Sequence, residues 1–167
     1  ELGRVRPSLV DGMAAGLDVG RIETVLSKGP KGAVNPAGLL HGDFWAGNLL
    51  WQNGKLVAVV DWEDAAMGDP LVDLGKARVE LVWLFGVEAA DRFTEYYRTM
   101  MAIDMANLPY WDLCAVLRLL RLVKGNWGWL VDFVKGYGRE DVMAERIGQG
   151  FELFVEGVIG NWLIGGE

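Results

Sequence analysis

The sequence predicts an α+β fold that is mostly α, a helical body with one small β-hairpin set into it. Two observations carry that expectation. Asn53–Gly54 stands between the apolar runs Leu49–Gln52 and Lys55–Val60, and both positions of a two-residue hairpin turn need the positive φ that Asn and Gly accept most readily. After Asp61 the pattern turns helical to the end of the chain, with Leu74, Ala77, Leu81 and Phe85 recurring at helical spacing. The length of 167 residues corresponds to roughly one domain, so residues 1–167 are expected to share one core.

The elements follow in order. Residues 1–37 are mixed in character, with a short helix expected near Arg21–Ser27. The Gly- and Pro-bearing segment Gly29–Gly38 reads as a loop. Leu39–Leu40 lead into His41–Gly42–Asp43, and the hairpin follows. Gly68–Asp69–Pro70 is a helix start, with Asp69 as N-cap and Pro70 at the first helical position. Further helices are expected at about Ala89–Ala102, Tyr110–Lys124 and Glu140–Gly157. There are no internal repeats or low-complexity tracts.

Composition excludes several classes. Sixteen basic and 23 acidic side chains leave a net charge of −7. A non-specific nucleic-acid binder needs an excess of Lys and Arg to neutralise phosphates, and an anionic membrane surface asks for the same. Hydrophobic residues make up 51% of the chain, enough apolar surface to offset chain entropy, so disorder is excluded. The single cysteine, Cys114, makes no internal disulfide; it lies in an apolar run and reads as a buried, inert thiol, which fits a cytoplasmic protein. No stretch approaches the roughly 18–20 apolar residues of a membrane span, and the N-terminus has no basic-then-apolar leader pattern. The chain begins with Glu1, which suggests a piece of a longer product. A mean hydropathy of +0.18 with eight tryptophans suggests an exposed apolar face that expects a partner.

The chemistry-bearing segment is His41–Gly42–Asp43–Phe44–Trp45–Ala46–Gly47–Asn48, followed by Asp61–Trp62–Glu63. If Asn53–Gly54 is a two-residue turn, Gln52 faces Lys55, Trp51 faces Leu56 and Asn48 faces Val59. Strand side chains alternate with period two, so Asp61 would project from the face that carries Asn48, as a diagonal pair with Cα atoms roughly 7–8 Å apart. An amide oxygen and a carboxylate oxygen at that spacing suit Mg²⁺, which takes one or two protein oxygens and fills its octahedron with water and phosphate. Asp43, in the loop entering the hairpin, is placed to accept a proton from an attacking hydroxyl. Base, amide and metal carboxylate together are the set that phosphoryl transfer needs. His41 is the only histidine and Cys114 lies far from it, so a zinc site, which draws on several such ligands, is not indicated.

His-Gly-Asp, four residues, Asn, then a strand ending in Asp-Trp-Glu resembles the catalytic core of the aminoglycoside phosphotransferase and choline kinase-like family, relatives of the protein kinases. The stretch Leu39–Leu84, with LLHGDFWAGNLLW, VVDWEDAAMGDP and VDLG, is similar to a bacterial member, and the helical remainder fits that family's C-terminal lobe. The resemblance implies a kinase-like lobe in which Asp43 is the catalytic base, Asn48 and Asp61 hold Mg²⁺, and ATP or GTP is the co-substrate. It further implies that His41 supports the catalytic loop and that Asp73 braces it from the following helix. The acceptor would be a small-molecule hydroxyl: amino sugars, choline-like alcohols, amino-acid alcohols and sugar derivatives all fit.

The departures concern the nucleotide side. The family's N-terminal lobe supplies a strand-borne Lys, a helix Glu that holds it, and a phosphate-covering loop; none is visible here. Of the six lysines, at 28, 31, 55, 76, 124 and 135, none sits in a Val-Ala-x-Lys-like strand followed by a helix. The chain therefore reads as the C-terminal lobe alone. Its apolar face would meet the missing lobe, a second copy or another partner. The alternatives are a non-catalytic binding or interaction module, or half of a split enzyme. Glu63, Asp64, Glu80, Trp83 and Asp112 are candidates for an acidic, aromatic acceptor pocket, with a solvated helix face and a core tryptophan as the plainer reading of the same residues.

Overall fold

The computed structural model describes residues 13–14, 16–31 and 34–164. Residues 1–12, 15 and 165–167, and two residues of the expected Gly29–Gly38 loop, 32 and 33, lie outside the described residues. A minimal ribbon, β1 (Met13–Ala14) and β2 (Leu17–Asp18), leads into α1 (Val19–Leu26). Asp18 caps α1 by accepting the Arg21 N–H at 2.9 Å.

The hairpin forms as β4 (Leu49–Gln52) and β5 (Lys55–Val59), with Asn53 and Gly54 at φ 52° and 74°. The pairs nearest the turn, Gln52 with Lys55 and Trp51 with Leu56, match the sequence expectation. Beyond them the register shifts by one, and Leu49 rather than Asn48 pairs with Val59. Val57 is the extra residue of a β-bulge, and a bulge moves every later side chain to the opposite phase. Asn48 consequently ends a 3₁₀ turn, Ala46–Asn48, with its carbonyl accepting the Val60 N–H at 3.0 Å. The same-face placement of Asn48 and Asp61 by simple alternation is thus corrected.

A second small sheet went unread in the sequence. β3 (Gly38–Leu40) pairs antiparallel with β6 (Ala66–Gly68), so the helical pattern begins after Gly68 rather than after Asp61. A Cβ on Gly68 would come within 2.7 Å of Leu40 Cδ1, so a larger residue there would have to push the Leu40 side chain aside. This sheet closes the base of both chemistry-bearing segments: His41–Asn48 leaves β3 and enters β4, while Val60–Ala65 leaves β5 and enters β6.

The helical body comprises α2 (Leu71–Phe85), α3 (Val87–Met100), α4 (Leu108–Leu122), α5 (Gly128–Lys135) and α6 (Ala144–Ile164). Asp69 Oδ1 accepts the Leu71 N–H at 3.0 Å at the start of α2. α5 is an addition to the expected helices. α6 runs past Gly157 because Val158, Ile159 and Trp162 are buried, and that burial outweighs the roughly 1 kcal/mol each helical glycine costs.

The main core draws on α1, α2, α4, α5 and α6, with Ile22, Leu113, Val116, Leu120 and Phe151 fully enclosed. A smaller one joins Leu71, Leu74 and Leu108. α2 and α4 approach most closely at Gly75, where a Cβ would lie 2.9 Å from the Trp111 carbonyl carbon. Arg78 of α2 and Asp112 of α4 are both buried, and the Arg78 Nε reaches the two Asp112 oxygens at 3.0 and 3.2 Å. Large apolar side chains stand exposed on the two small sheets, including Leu39, Trp51, Val57 and Met67. Among the described residues no helix is long and apolar enough to cross a membrane.

Candidate active site

The loop between β3 and β4 is held from three directions. α2 presents Asp73, whose carboxylate accepts the His41 N–H at 2.5 Å and the Gly42 N–H at 3.0 Å. His41 is buried, with Nδ1 accepting the Asp43 N–H at 3.2 Å and Nε2 lying 2.8 Å from the Val60 carbonyl oxygen. A ring nitrogen that accepts from an amide leaves the other to donate, so His41 carries its proton on Nε2 and ties the loop to the residue before Asp61. Its ring also packs against Trp62, with centroids 4.5 Å apart. Gly42 has φ 79°, and a Cβ there would come within 2.3 Å of the Asp64 carbonyl oxygen; only glycine lets the two segments approach so closely.

Asp43 lies at the centre. The Lys76 ammonium pairs with its Oδ1, and Asn48 Nδ2 donates to its Oδ2 at 3.1 Å and to its backbone carbonyl at 2.8 Å. Burial pulls the Asp43 carboxyl upward, but hydrogen bonding and charge from Lys76, the Asn48 hydrogen bond and the Arg118 charge outweigh it. The carboxyl is held below its ordinary range and is ionised at neutral pH.

Both groups facing the Asn48 amide nitrogen are acceptors, which fixes the orientation of the side chain and leaves its carbonyl oxygen as the end available to a cation. Asp61 is exposed and adopts φ 66°, an uncommon conformation for a non-glycine residue that asparagine and aspartate tolerate best. A hard amide oxygen and an exposed carboxylate, joined through the Val60–Asn48 backbone hydrogen bond, fit the oxygen preference and the small protein ligand count of Mg²⁺.

The acceptor candidates separate. Glu63 and Asp64 are exposed beside the loop. Trp83 is only 4% exposed and belongs to the main core, while its Nε1 donates to Glu80 Oε2 at 2.7 Å. Burial pushes the Glu80 carboxyl up, against that hydrogen bond. Asp112 is consumed by Arg78. Trp83 and Asp112 are therefore corrected from pocket walls to interior residues, because the apolar face of α2 packs against α4. Cys114 is half-buried rather than buried, and its thiol is pushed up to about 11 by that burial, consistent with an inert group.

Two residues absent from the sequence reading complete the site, Lys76 and Arg118. Lys76 was legible in principle, since it follows Asp73 by three positions on a predicted helix and so shares its face. Arg118, on α4, reaches the Gly42 carbonyl oxygen at 3.2 Å and Asp64 at 3.4 Å, a long-range contact that no local pattern announces.

The braced loop thus presents one ionised carboxylate among amide and cationic partners, next to a second, exposed carboxylate. Residues 9–111 match the phosphotransferase enzyme family. The chain belongs to that family, of the aminoglycoside phosphotransferase type. It is 35% identical over 57 residues to hygromycin-B 4-O-kinase of Escherichia coli, a match covering 34% of this chain and 17% of that enzyme. No solved structure matches the chain.

Proposed function

We propose that this chain is the C-terminal, catalytic lobe of a kinase-like phosphotransferase, moving the γ-phosphoryl group of ATP or GTP to a hydroxyl of a small molecule. The observation that carries the reading is the Asp43 carboxylate, fixed by Asn48 and Lys76 in a loop that Asp73 braces. Asp43 orients the acceptor hydroxyl and takes its proton. His41 and Asp73 hold the loop. Asn48 and Asp61 would hold Mg²⁺, which when bound neutralises charge on the nucleotide phosphates. The similarity to a hygromycin-B 4-O-kinase supports an aminoglycoside-like acceptor, with the exposed Glu63 and the partly buried Glu80 as candidate acidic contacts. The exposed apolar sheets are the face on which a nucleotide lobe or a second copy would sit.

Calorimetric titration of the chain with Mg-ATP tests this. Micromolar binding that is lost in Asp61→Ala is the expected outcome. Absence of binding by the unaltered chain would overturn the view that it holds a nucleotide site by itself, and would favour an acceptor-side or interaction module.

A further inference from the structure

Lys76 and Arg118 come from different helices and meet at one atom. The Lys76 ammonium lies 3.1 Å from the Gly42 carbonyl oxygen and the Arg118 guanidinium 3.2 Å from it, so the two cationic nitrogens can be no further apart than the sum of those distances. Like charges held so close repel, so their convergence is favourable only where negative charge lies beside them. Asp43 supplies only part of it. Asp64 meets Arg118 at 3.4 Å with both side chains largely exposed, a geometry that contributes little, and Glu80, whose carboxyl also feels both cations, is pushed up by burial and taken by the Trp83 N–H.

The placement of Lys76 is itself informative. Its side chain is 13% exposed, so the charge is held away from bulk water rather than free to swing. An ammonium carries three donors, and two of them go to Gly42 and Asp43. An ammonium bonded to a proton-accepting carboxylate weakens it as a base. That arrangement is productive if the same cation also meets the negative charge arriving at the carboxylate, because positioning and charge neutralisation supply most of the catalysis in phosphoryl transfer.

Resting on the phosphotransferase reading above, we propose that Lys76, with Arg118 beside it, receives the phosphoryl group being transferred at Asp43. The acceptor oxygen forms its bond to the γ-phosphorus as the bond from that phosphorus to the bridging oxygen breaks. The electron pair leaves with the nucleoside diphosphate, the hydroxyl proton passes to a carboxylate oxygen of Asp43, and both cations stay charged throughout. Lys76 thus supplies a phosphate-facing cation from within this lobe. Arg118 lies on α4, beyond the residues that match the family.

The test compares Mg-ATP with Mg-ADP by calorimetry in the unaltered chain, Lys76→Met, Lys76→Arg and Arg118→Gln. A charge-assisted contact to the γ-phosphoryl group predicts that the unaltered chain prefers ATP by about tenfold or more. Lys76→Met should bring that preference close to one, Arg118→Gln should reduce it by a smaller factor, and Lys76→Arg should retain most of it. A lysine that merely holds Asp43 in place would leave the ATP-to-ADP ratio unchanged in Lys76→Met, and that result overturns the proposal, as does an unaltered chain that binds both nucleotides equally. Should Lys76→Met fail to fold, Lys76→Gln keeps a donor to Gly42 and is read in the same way. Absence of any nucleotide binding by the unaltered chain overturns the view that it holds a nucleotide site by itself, and this proposal with it, whereas binding with an unchanged ratio in Lys76→Met overturns this proposal alone.

Discussion

On the proposed function, replacing Asp43 by Asn is expected to lower phosphoryl transfer by about 10²–10⁴-fold, the usual worth of a positioned general base, while leaving any Mg-ATP binding in place. The substitution preserves shape, so the loop keeps its braces: Asp73 still accepts from His41 and Gly42, and the Asp43 backbone carbonyl still accepts from Asn48 at 2.8 Å. What disappears is the negative charge that, on the proposed function, aligns a hydroxyl and accepts its proton. Steady-state release of ADP in the presence of a hydroxyl acceptor, set beside calorimetric Mg-ATP titration of the same variant, separates the two effects. Undiminished turnover would assign the base to another group. Loss of both turnover and nucleotide binding would mean that the carboxylate serves the metal rather than the hydroxyl.

The largest effect on stability is expected at Asp112. Arg78 and Asp112 are buried together, and removing one partner of such a pair costs about 3–5 kcal/mol because the other is left charged without compensation. Asp112→Ala belongs near the low end, about 3 kcal/mol, since Arg78 retains the Thr94 hydroxyl and the Ala90 carbonyl as acceptors. Burial pushes the Asp112 carboxyl up to about 7, against the pull of Arg78. The folded state therefore binds a proton that the unfolded chain, with an ordinary value of 3.8, releases earlier. The stability this group contributes is fully present below its unfolded value and is lost as pH rises through about 7. Urea unfolding at pH 5 and pH 8 should show that decline in the unaltered chain and a shallower one in Asp112→Ala. A loss well under about 1 kcal/mol would mean that Arg78 reaches water once its partner is gone.

How much of this was legible in the sequence depended on whether the signal was local. The turn at Asn53–Gly54, the cap at Asp69 and the helical spacing of Leu74, Ala77 and Leu81 each lie within a few residues of their own cause, and each element formed. The bulge at Val57 did not announce itself, because nothing in Leu56–Val57–Ala58 distinguishes an extra residue from a paired one. One unread residue was enough to undo the alternation that placed Asn48 and Asp61 on a common face. The β3–β6 sheet was missed for another reason: its strands are three residues each, too short for a period to show. The site had the same division. His41, Asp43, Asn48 and Asp61 sit in one readable motif, whereas Arg118 arrives from 76 positions away, and the interior positions of Trp83 and Asp112 are set by which face of α2 meets α4.

The bracing of the loop by α2 also determines how the molecule opens. Loops ordinarily exchange their amide hydrogens through small local excursions. The His41 and Gly42 amides are instead bonded to a carboxylate on the first turn of a helix that is pinned against α4 by the close approach at Gly75 and by the Arg78–Asp112 pair. Releasing those two amides breaks two charge-assisted bonds at once, so the easiest route to lasting exposure is expected to be α2 leaving its neighbours. Deuterium uptake at His41 and Gly42 should thus be as slow as in the middle of α2 and should quicken in step with it in Asp112→Ala, so that the reactive loop and the helical body behave as one cooperative unit.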